Sequence, residues 1–286
     1  METHTEQQVS TRYGLFTIDG VRDKKMAGAL LNGEYPNEGL LEIARVFVDK
    51  KSIVVDIGAH IGTFAVPIAA EVEKVIAFEP SHEAYALLSR NASQNEASLQ
   101  LINKALGREE GSGTLLVRNA SNAGANTLIT GGDIPVTMLD EEVERANFIK
   151  IDVEGMELEV LRGGTRLIER ARPVVVFEVN LSQLRAHNTS PRALEQFFTE
   201  RGYRLYFPLE RGNLVFARVK SATLLTALIA PRAWLFYGDS APFDLIAVPV
   251  ERPLPSVGFM RAIKNVIDNN LSVKGKQLAA FFRGIL

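Results

Sequence analysis

Cysteine is absent from the 286-residue chain, which excludes disulfides, thiolate metal sites and a cysteine nucleophile. An excess of one charge is also lacking: 32 Lys and Arg stand against 34 Asp and Glu, a net charge of −2. Dedicated nucleic-acid binders carry a basic stripe, so no nucleic-acid partner is expected. The longest apolar-leaning stretch, Ser221 to Tyr237, is broken by Pro231 and Arg232 and is too short and too interrupted to span a bilayer. Met1 to Ser10 has no apolar centre of the kind a secretory signal carries. A soluble, cytoplasmic protein is the expectation. Apolar residues make up 46% of the chain, enough for a sizeable core.

What is present is an alternation of strands and helices. Residues 1–50 read as a loose lead of about 20 residues followed by a helical pattern from Asn37 to Phe47. Ser52–Ile57 reads as a buried strand, β-branched and without polar alternation, as parallel strands are. Thr63–Val72 follows as a short helix, Lys74–Glu79 as a strand, and a helix capped by Ser81 runs to about Asn95. Leu99–Leu106 reads as the third strand. The rhythm then pauses at residues 111–137, where glycines, Thr114–Val117 and Ile134–Thr137 suggest a hairpin-like insertion. It resumes with Met138–Arg145 as a helix, Phe148–Val153 as a strand, Met156–Ile168 as a helix with a glycine break, and Pro173–Val179 as a strand. A helix capped by Ser190 and strands at Tyr203–Phe207 and Phe243–Val250 complete the set. This order predicts an α/β protein with a mainly parallel, seven-stranded sheet, helices on both faces and a small β insertion. Residues 51–255 would form this domain. Gly33–Glu38 and residues 221–237 are candidate lids by position. Residues 256–286 form an amphipathic, mostly basic tail, which predicts packing on the protein's own surface or contact with an anionic membrane or partner.

The sharpest feature is Asp56-Ile57-Gly58-Ala59-His60-Ile61-Gly62, followed one βαβ step later by Phe78-Glu79-Pro80. It is the layout of a site for an adenosine-bearing cofactor at the carboxyl edge of a parallel sheet. Glycine at 58 is expected because the backbone must lie against a ligand. The middle glycine of the dinucleotide fingerprint is missing, and an acidic residue precedes the turn. That favours a cationic, amino-bearing ligand such as S-adenosylmethionine over a pyrophosphate. Asp56 is expected to orient the loop and to face the ligand's ammonium, directly or through water. Glu79 is expected to accept two hydrogen bonds from a ribose diol. His60 is expected to contact ligand or loop.

A second acidic group is carried by Lys150-Ile151-Asp152-Val153-Glu154-Gly155-Met156-Glu157, and Glu178 ends the next strand. Asp152, Glu154 and Glu178 should reach the same sheet edge as Glu79. A carboxylate there could take the proton of an attacking hydroxyl, with Glu154 and Asp152 as candidates and His187, in the loop after the Glu178 strand, as another. The same oxygens suit a divalent cation, for which Asp152, Glu154 and Glu178 are weak candidates. Glu157 is expected to cap a helix or to pair with Arg162.

With Ala77-Phe78-Glu79-Pro80, Asn91, Ala105-Leu106, Leu139-Asp140, Gly163 and Arg172-Pro173, these segments resemble the FkbM family of S-adenosylmethionine-dependent methyltransferases. The resemblance covers about Ser52 to Asn180. It implies a Rossmann-like class I methyltransferase fold and, commonly, O-methyl transfer to hydroxyls of sugars, polyketides or related natural products. A small-molecule or glycan hydroxyl acceptor is therefore the expected partner. It also implies that Asp56, Gly58, Ala59, His60, Ile61, Gly62 and Thr63 cradle the methionine part, that Glu79 and Pro80 serve the ribose, and that Lys104 and Ala105 line the adenine. Asp152 closes this set. Many members carry Asn where this chain has His60. Two other readings are an NAD-dependent oxidoreductase, opposed by the missing glycine, and a cofactor-binding scaffold without catalysis. Acceptor, metal dependence and oligomeric state are not encoded in any recognisable pattern.

Overall fold

β-branched runs buried at every position form the centre of the protein, as the expected strand pattern requires. The structure is a computed structural model, and it describes residues 6–116, 127–208, 216–219, 221 and 242–254. The chain divides into two compact units, Met1–Glu178 and Val179–Leu286.

The first unit opens with an antiparallel hairpin, β1 (Glu6–Thr11) and β2 (Gly14–Asp19), followed by helices α1 (Lys24–Leu31) and α2 (Glu38–Phe47). Next come β3 (Ile53–Ile57), α3 (Ala65–Ala69), β4 (Lys74–Phe78), α4 (His82–Gln94) and β5 (Leu99–Ile102). The insertion contributes β6 (Ala105–Leu106), β7 (Gly111–Leu116), β8 (Thr127–Thr130) and β9 (Ile134–Thr137). The rhythm resumes with α5 (Leu139–Glu142), β10 (Phe148–Ile151), α6 (Glu157–Gly163), α7 (Thr165–Ala171) and β11 (Val174–Val179), whose last residue enters the second unit.

Five strands pair in the order β11-β10-β3-β4-β5, every pair parallel. Strand order reverses between β3 and β10, so the carboxyl ends flank a topological switch point, where open α/β sheets bind ligands. The insertion forms a separate four-stranded sheet, β6-β9-β7-β8. The expected third strand, Leu99–Leu106, is thus split: its first half joins the main sheet and Ala105–Leu106 pairs with the insertion. The glycine break lies between α6 and α7, and the helix expected at Met138–Arg145 is only the four residues of α5.

The second unit contains α8 (Leu181–Ala186), α9 (Pro191–Glu200), β12 (Tyr203–Pro208), β13 (Phe216–Val219) and β14 (Phe243–Pro249). Ser190 caps α9 as expected, accepting from Ala193 N. Its strands run β13-β12-β14, both pairs antiparallel, and β13 is a strand beyond those expected. The parallel sheet of the first unit, alternating with helices, is a Rossmann-like α/β fold. The lid candidate 221–237, apart from Ser221, and the tail 256–286 lie outside the described residues. Among the described residues no helix is long and apolar enough to cross a membrane.

The N-terminal lead is the main departure from expectation. It is a hairpin whose Phe16 and Ile18 are fully buried. Its alternation is visible only on β2, and its polar partner lies far away in sequence. Asn91 of α4, itself buried, acts as that partner. Its Oδ1 accepts from Thr17 N at 2.7 Å, and its Nδ2 donates to Thr17 O at 3.2 Å and to Ile61 O at 2.8 Å. One amide side chain thus joins the hairpin, α4 and the loop after β3. Asn91→Ala leaves those buried backbone groups unpaired and should lower stability by about 2–3 kcal/mol. Urea denaturation would show this as a lower midpoint at unchanged slope.

Candidate active site at the carboxyl edge of the sheet

Register aligns the rim. Ile57, Phe78, Ile102, Ile151 and Phe177 are partners across the five parallel strands. The next residues, Gly58, Glu79, Asn103, Asp152 and Glu178, therefore stand along one edge, as expected for Glu79, Asp152 and Glu178. Asp56 lies one residue earlier, directly beside Lys150 in register. Neighbours in register on parallel strands point to the same face, so the two side chains meet.

Lys150 is the organising residue that sequence reasoning left without a role. It is 3% exposed. Its Nζ donates to Asp56 Oδ1 and to the carbonyl of Gly58, both at 3.0 Å, and lies 3.7 Å from Asp152 Oδ2. The signal was present: a lysine inside the buried run Phe148-Ile149-Lys150-Ile151 must find an opposite charge. Burial pushes the Asp56 carboxyl above its ordinary range, and the charge and hydrogen bond of Lys150 oppose that push. Of the two tasks expected of Asp56, the geometry shows the orienting one. Its carboxylate is fully buried against a lysine of the chain itself, whereas Asp152, at 41% side-chain exposure, is open to the rim.

The structure adds its own reason for the glycines. Gly58 has φ +77, and a Cβ there would lie 1.9 Å from the carbonyl oxygen of Asp152. Gly62 has φ +91, and its Cβ would meet Leu88 and Val66. Close approach of backbone to backbone therefore demands Gly58, and the positive φ favours glycine at 62. Asp152 N also donates to Ile57 O at 3.0 Å. The glycine loop and the Asp152–Gly155 turn are packed together backbone against backbone. In that turn Glu154 and Gly155 both have positive φ, 57 and 102.

Glu79 is buried, and burial raises its pKa against the opposing charge of His60 and the amide bonds of Ser81 and His60. Its Oε2 accepts from His60 N at 2.8 Å and its Oε1 from Ser81 N at 2.9 Å. Each oxygen keeps a further lone pair. Asn103 donates to the carbonyls of Glu79 and Pro80, fixing that corner. Ala59, Ile61 and Thr63 are buried within the loop. Tyr35 O–H donates to Thr63 O and Asn37 Nδ2 to Thr63 Oγ1, each at 2.8 Å, so the lid candidate Gly33–Glu38 is hydrogen-bonded to the loop. Lys104 pairs with Glu142 at 2.6 Å, and Ala105 is buried in β6. His60 pairs with Asp23 and not with another loop residue.

Glu157 takes neither expected role: the N-cap of α6 is Met156, without a side-chain cap, and Glu157 braces the turn before the helix. Its Oε1 accepts from Gly155 N at 3.1 Å and Val153 N at 3.4 Å, while Arg162 bonds Glu159 instead. His187 is the C-cap of α8 in the second unit. The cation expectation is corrected: among the described residues no group of three or more His, Cys, Asp or Glu side chains is placed to hold a metal ion, so Asp152, Glu154 and Glu178 are not gathered into one.

A switch-point rim with a glycine turn and a buried carboxylate at the neighbouring strand end belongs to a Rossmann-like fold, and lies where such sheets bind ligands. The model of the methyltransferase FkbM domain matches residues 56–205, and the chain belongs to that family. It is 28% identical over 135 residues to the hexuronic acid methyltransferase AglP of Haloferax volcanii, covering 45% of this chain and 56% of that protein. It is 28% identical over 153 residues to the methyltransferase sdnD of Sordaria araneosa, covering 38% of this chain and 59% of that one. The chain thus spans less than two-thirds of the length of either relative. It also resembles the crystal structure of a methyltransferase FkbM from Methylobacillus flagellatus. That match has 18% identity and a TM-score of 0.42, over 70% of this chain and 44% of that one.

Two outcomes follow. Lys150→Met strands the buried Asp56 carboxylate and should cost about 3–5 kcal/mol; adding Asp56→Asn should recover part of that loss, and urea denaturation of the four-protein cycle would measure both. Burial pushes Glu157 up to about 7 from 4.5. A carboxyl raised on folding contributes stability that is full below its unfolded value and is lost as pH rises through its folded value. Wild-type stability should therefore decline between about pH 4.5 and pH 7 more steeply than that of Glu157→Gln, as thermal melts across that window would show.

Proposed function

We propose that this protein is an S-adenosylmethionine-dependent methyltransferase acting on a hydroxyl of a sugar, polyketide or related natural product. The observation that carries the reading is Glu79: a buried carboxylate, held by two backbone amides at the rim of the switch point, with acceptor capacity left for a ribose diol. Family membership supports methyl transfer, and the hexuronic acid relative supports a sugar-type acceptor.

S-adenosylmethionine, when bound, supplies an electrophilic methyl on a sulfonium and leaves as a neutral thioether. The chain's own residues do the rest. Glu79 would hold the ribose, and the loop from Gly58 to Thr63 the methionine part. Asp152, open at the rim beside Gly58, would face the ammonium. Glu154, in the left-handed turn next to Asp152, is the proposed base. Glu154 would take the proton of the acceptor hydroxyl as that oxygen is methylated. Orientation and exclusion of water account for most of such a rate gain.

Labelled methyl transfer from S-adenosylmethionine to a panel of uronic acids, neutral sugars and polyketide alcohols tests this. Wild type should label at least one hydroxyl. Glu154→Gln, which keeps shape and removes the base, should lose about 100-fold or more in turnover and still bind S-adenosylhomocysteine. Undiminished turnover by that variant would remove Glu154 from the mechanism, and uptake of NAD in place of S-adenosylhomocysteine would favour an oxidoreductase.

A further inference from the structure

Among the contacts on the glycine loop from outside the sheet, one involves a pair of titratable side chains. His60 Nε2 donates to Asp23 Oδ2 at 3.1 Å, and the two side chains are 17% and 11% exposed. Asp23 sits where β2 hands over to α1, and its other oxygen, Oδ1, caps α1 by accepting from Met26 N at 3.0 Å. His60 is itself tied on two sides. Its ring reaches Asp23, while its backbone N–H is the donor to Glu79 Oε2. To do both it takes φ 52, a left-handed conformation that few residues other than glycine adopt. The chain from Asp23 through His60 to Glu79 therefore joins the N-terminal segment to the carboxylate assigned to the ribose.

We propose that Asp23 is a positioning residue of the cofactor site, acting through the His60 ring to hold the loop turn that keeps Glu79 in place. This rests on the reading of that site as one for an S-adenosyl ligand. The groups that face the imidazole favour its charged form. Asp23 approaches from the β2–α1 connection with Lys25 behind it, Glu79 from the end of β4 and Asp152 from the end of β10, while Lys150 acts on Glu79. Burial alone would lower the His60 pKa, but the Asp23 bond and the surrounding carboxylates outweigh it and hold the ring above its ordinary value. Burial alone would raise Asp23, and the bond to His60 holds it below. The pair is thus complete once Asp23 has ionised, and it is lost as pH rises through the raised His60 value. Ligand affinity should weaken in that same direction.

The test uses the full chain and two substitutions. Asp23→Asn keeps an N-cap for α1 and removes the charge. His60→Asn tolerates the left-handed turn and removes the titrating ring. The chain has four histidines, so the His60 ring signal is assignable by NMR from its disappearance in His60→Asn. In wild type it should titrate above the ordinary value of about 6.5, and in Asp23→Asn its midpoint should fall. Calorimetry with S-adenosylhomocysteine should show tighter binding by wild type at about pH 6 than at about pH 8.5. Asp23→Asn should bind about tenfold more weakly at the lower pH, and His60→Asn should bind with no such pH dependence. A His60 midpoint unmoved by Asp23→Asn, or a wild-type pH profile retained in both variants, overturns the proposal alone. Failure of wild type to bind S-adenosylhomocysteine at either pH overturns the reading of the site as well.

Discussion

A buried ammonium holds this site together. Lys150 sits between Asp56, Asp152 and the carbonyl of Gly58, and so ties the first glycine turn to the strand that delivers the acidic turn. Two charges inside a sheet are costly unless each meets the other with good geometry. Here register supplies that geometry, because Asp56 and Lys150 are direct partners on adjacent parallel strands. Burial and pairing oppose one another at Asp56.

The backbone contact between Gly58 and Asp152 follows from this tie. With the carbonyl of Asp152 occupying the place of a Cβ, the loop after β3 and the turn after β10 form one continuous rim. Glu79 completes it from β4, and Glu157 supports it from below by accepting the amides of Gly155 and Val153. The N-terminal hairpin, through Asn91, and the segment at Tyr35 and Asn37 fasten the outer side of the loop. These bonds run from protein to protein, so the parts of the rim hold one another in place.

Much of this was legible from the residues. The alternation of apolar runs with helical patterns gave the parallel sheet, because strands buried on both faces and capped helices are written locally: Ile53–Ile57 is apolar but for Asp56, and Ser81 and Ser190 mark their helix starts. The carboxylates at strand ends gave the rim. The hairpin at Glu6–Asp19 was not legible, because what stabilises it is Asn91, some seventy residues away in sequence. The partner of His60 was hidden in the same way, since Asp23 reads locally as a helix cap. Lys150 could have been placed, for a charge in a buried run demands a partner, but nothing local says that the partner is Asp56. The reason for glycine at 58 was also beyond the sequence, because the neighbour that fills its Cβ position comes from β10.

The central claim is that this rim grips one sulfonium nucleoside, with Glu79 on its ribose. A crystal structure of the protein with S-adenosylhomocysteine tests it most directly. The account predicts both ribose hydroxyls within hydrogen-bond distance of the Glu79 carboxylate and the homocysteine part along the Gly58–Thr63 loop. A nucleoside bound elsewhere on the chain, with Glu79 touching only the amides of His60 and Ser81, would contradict it.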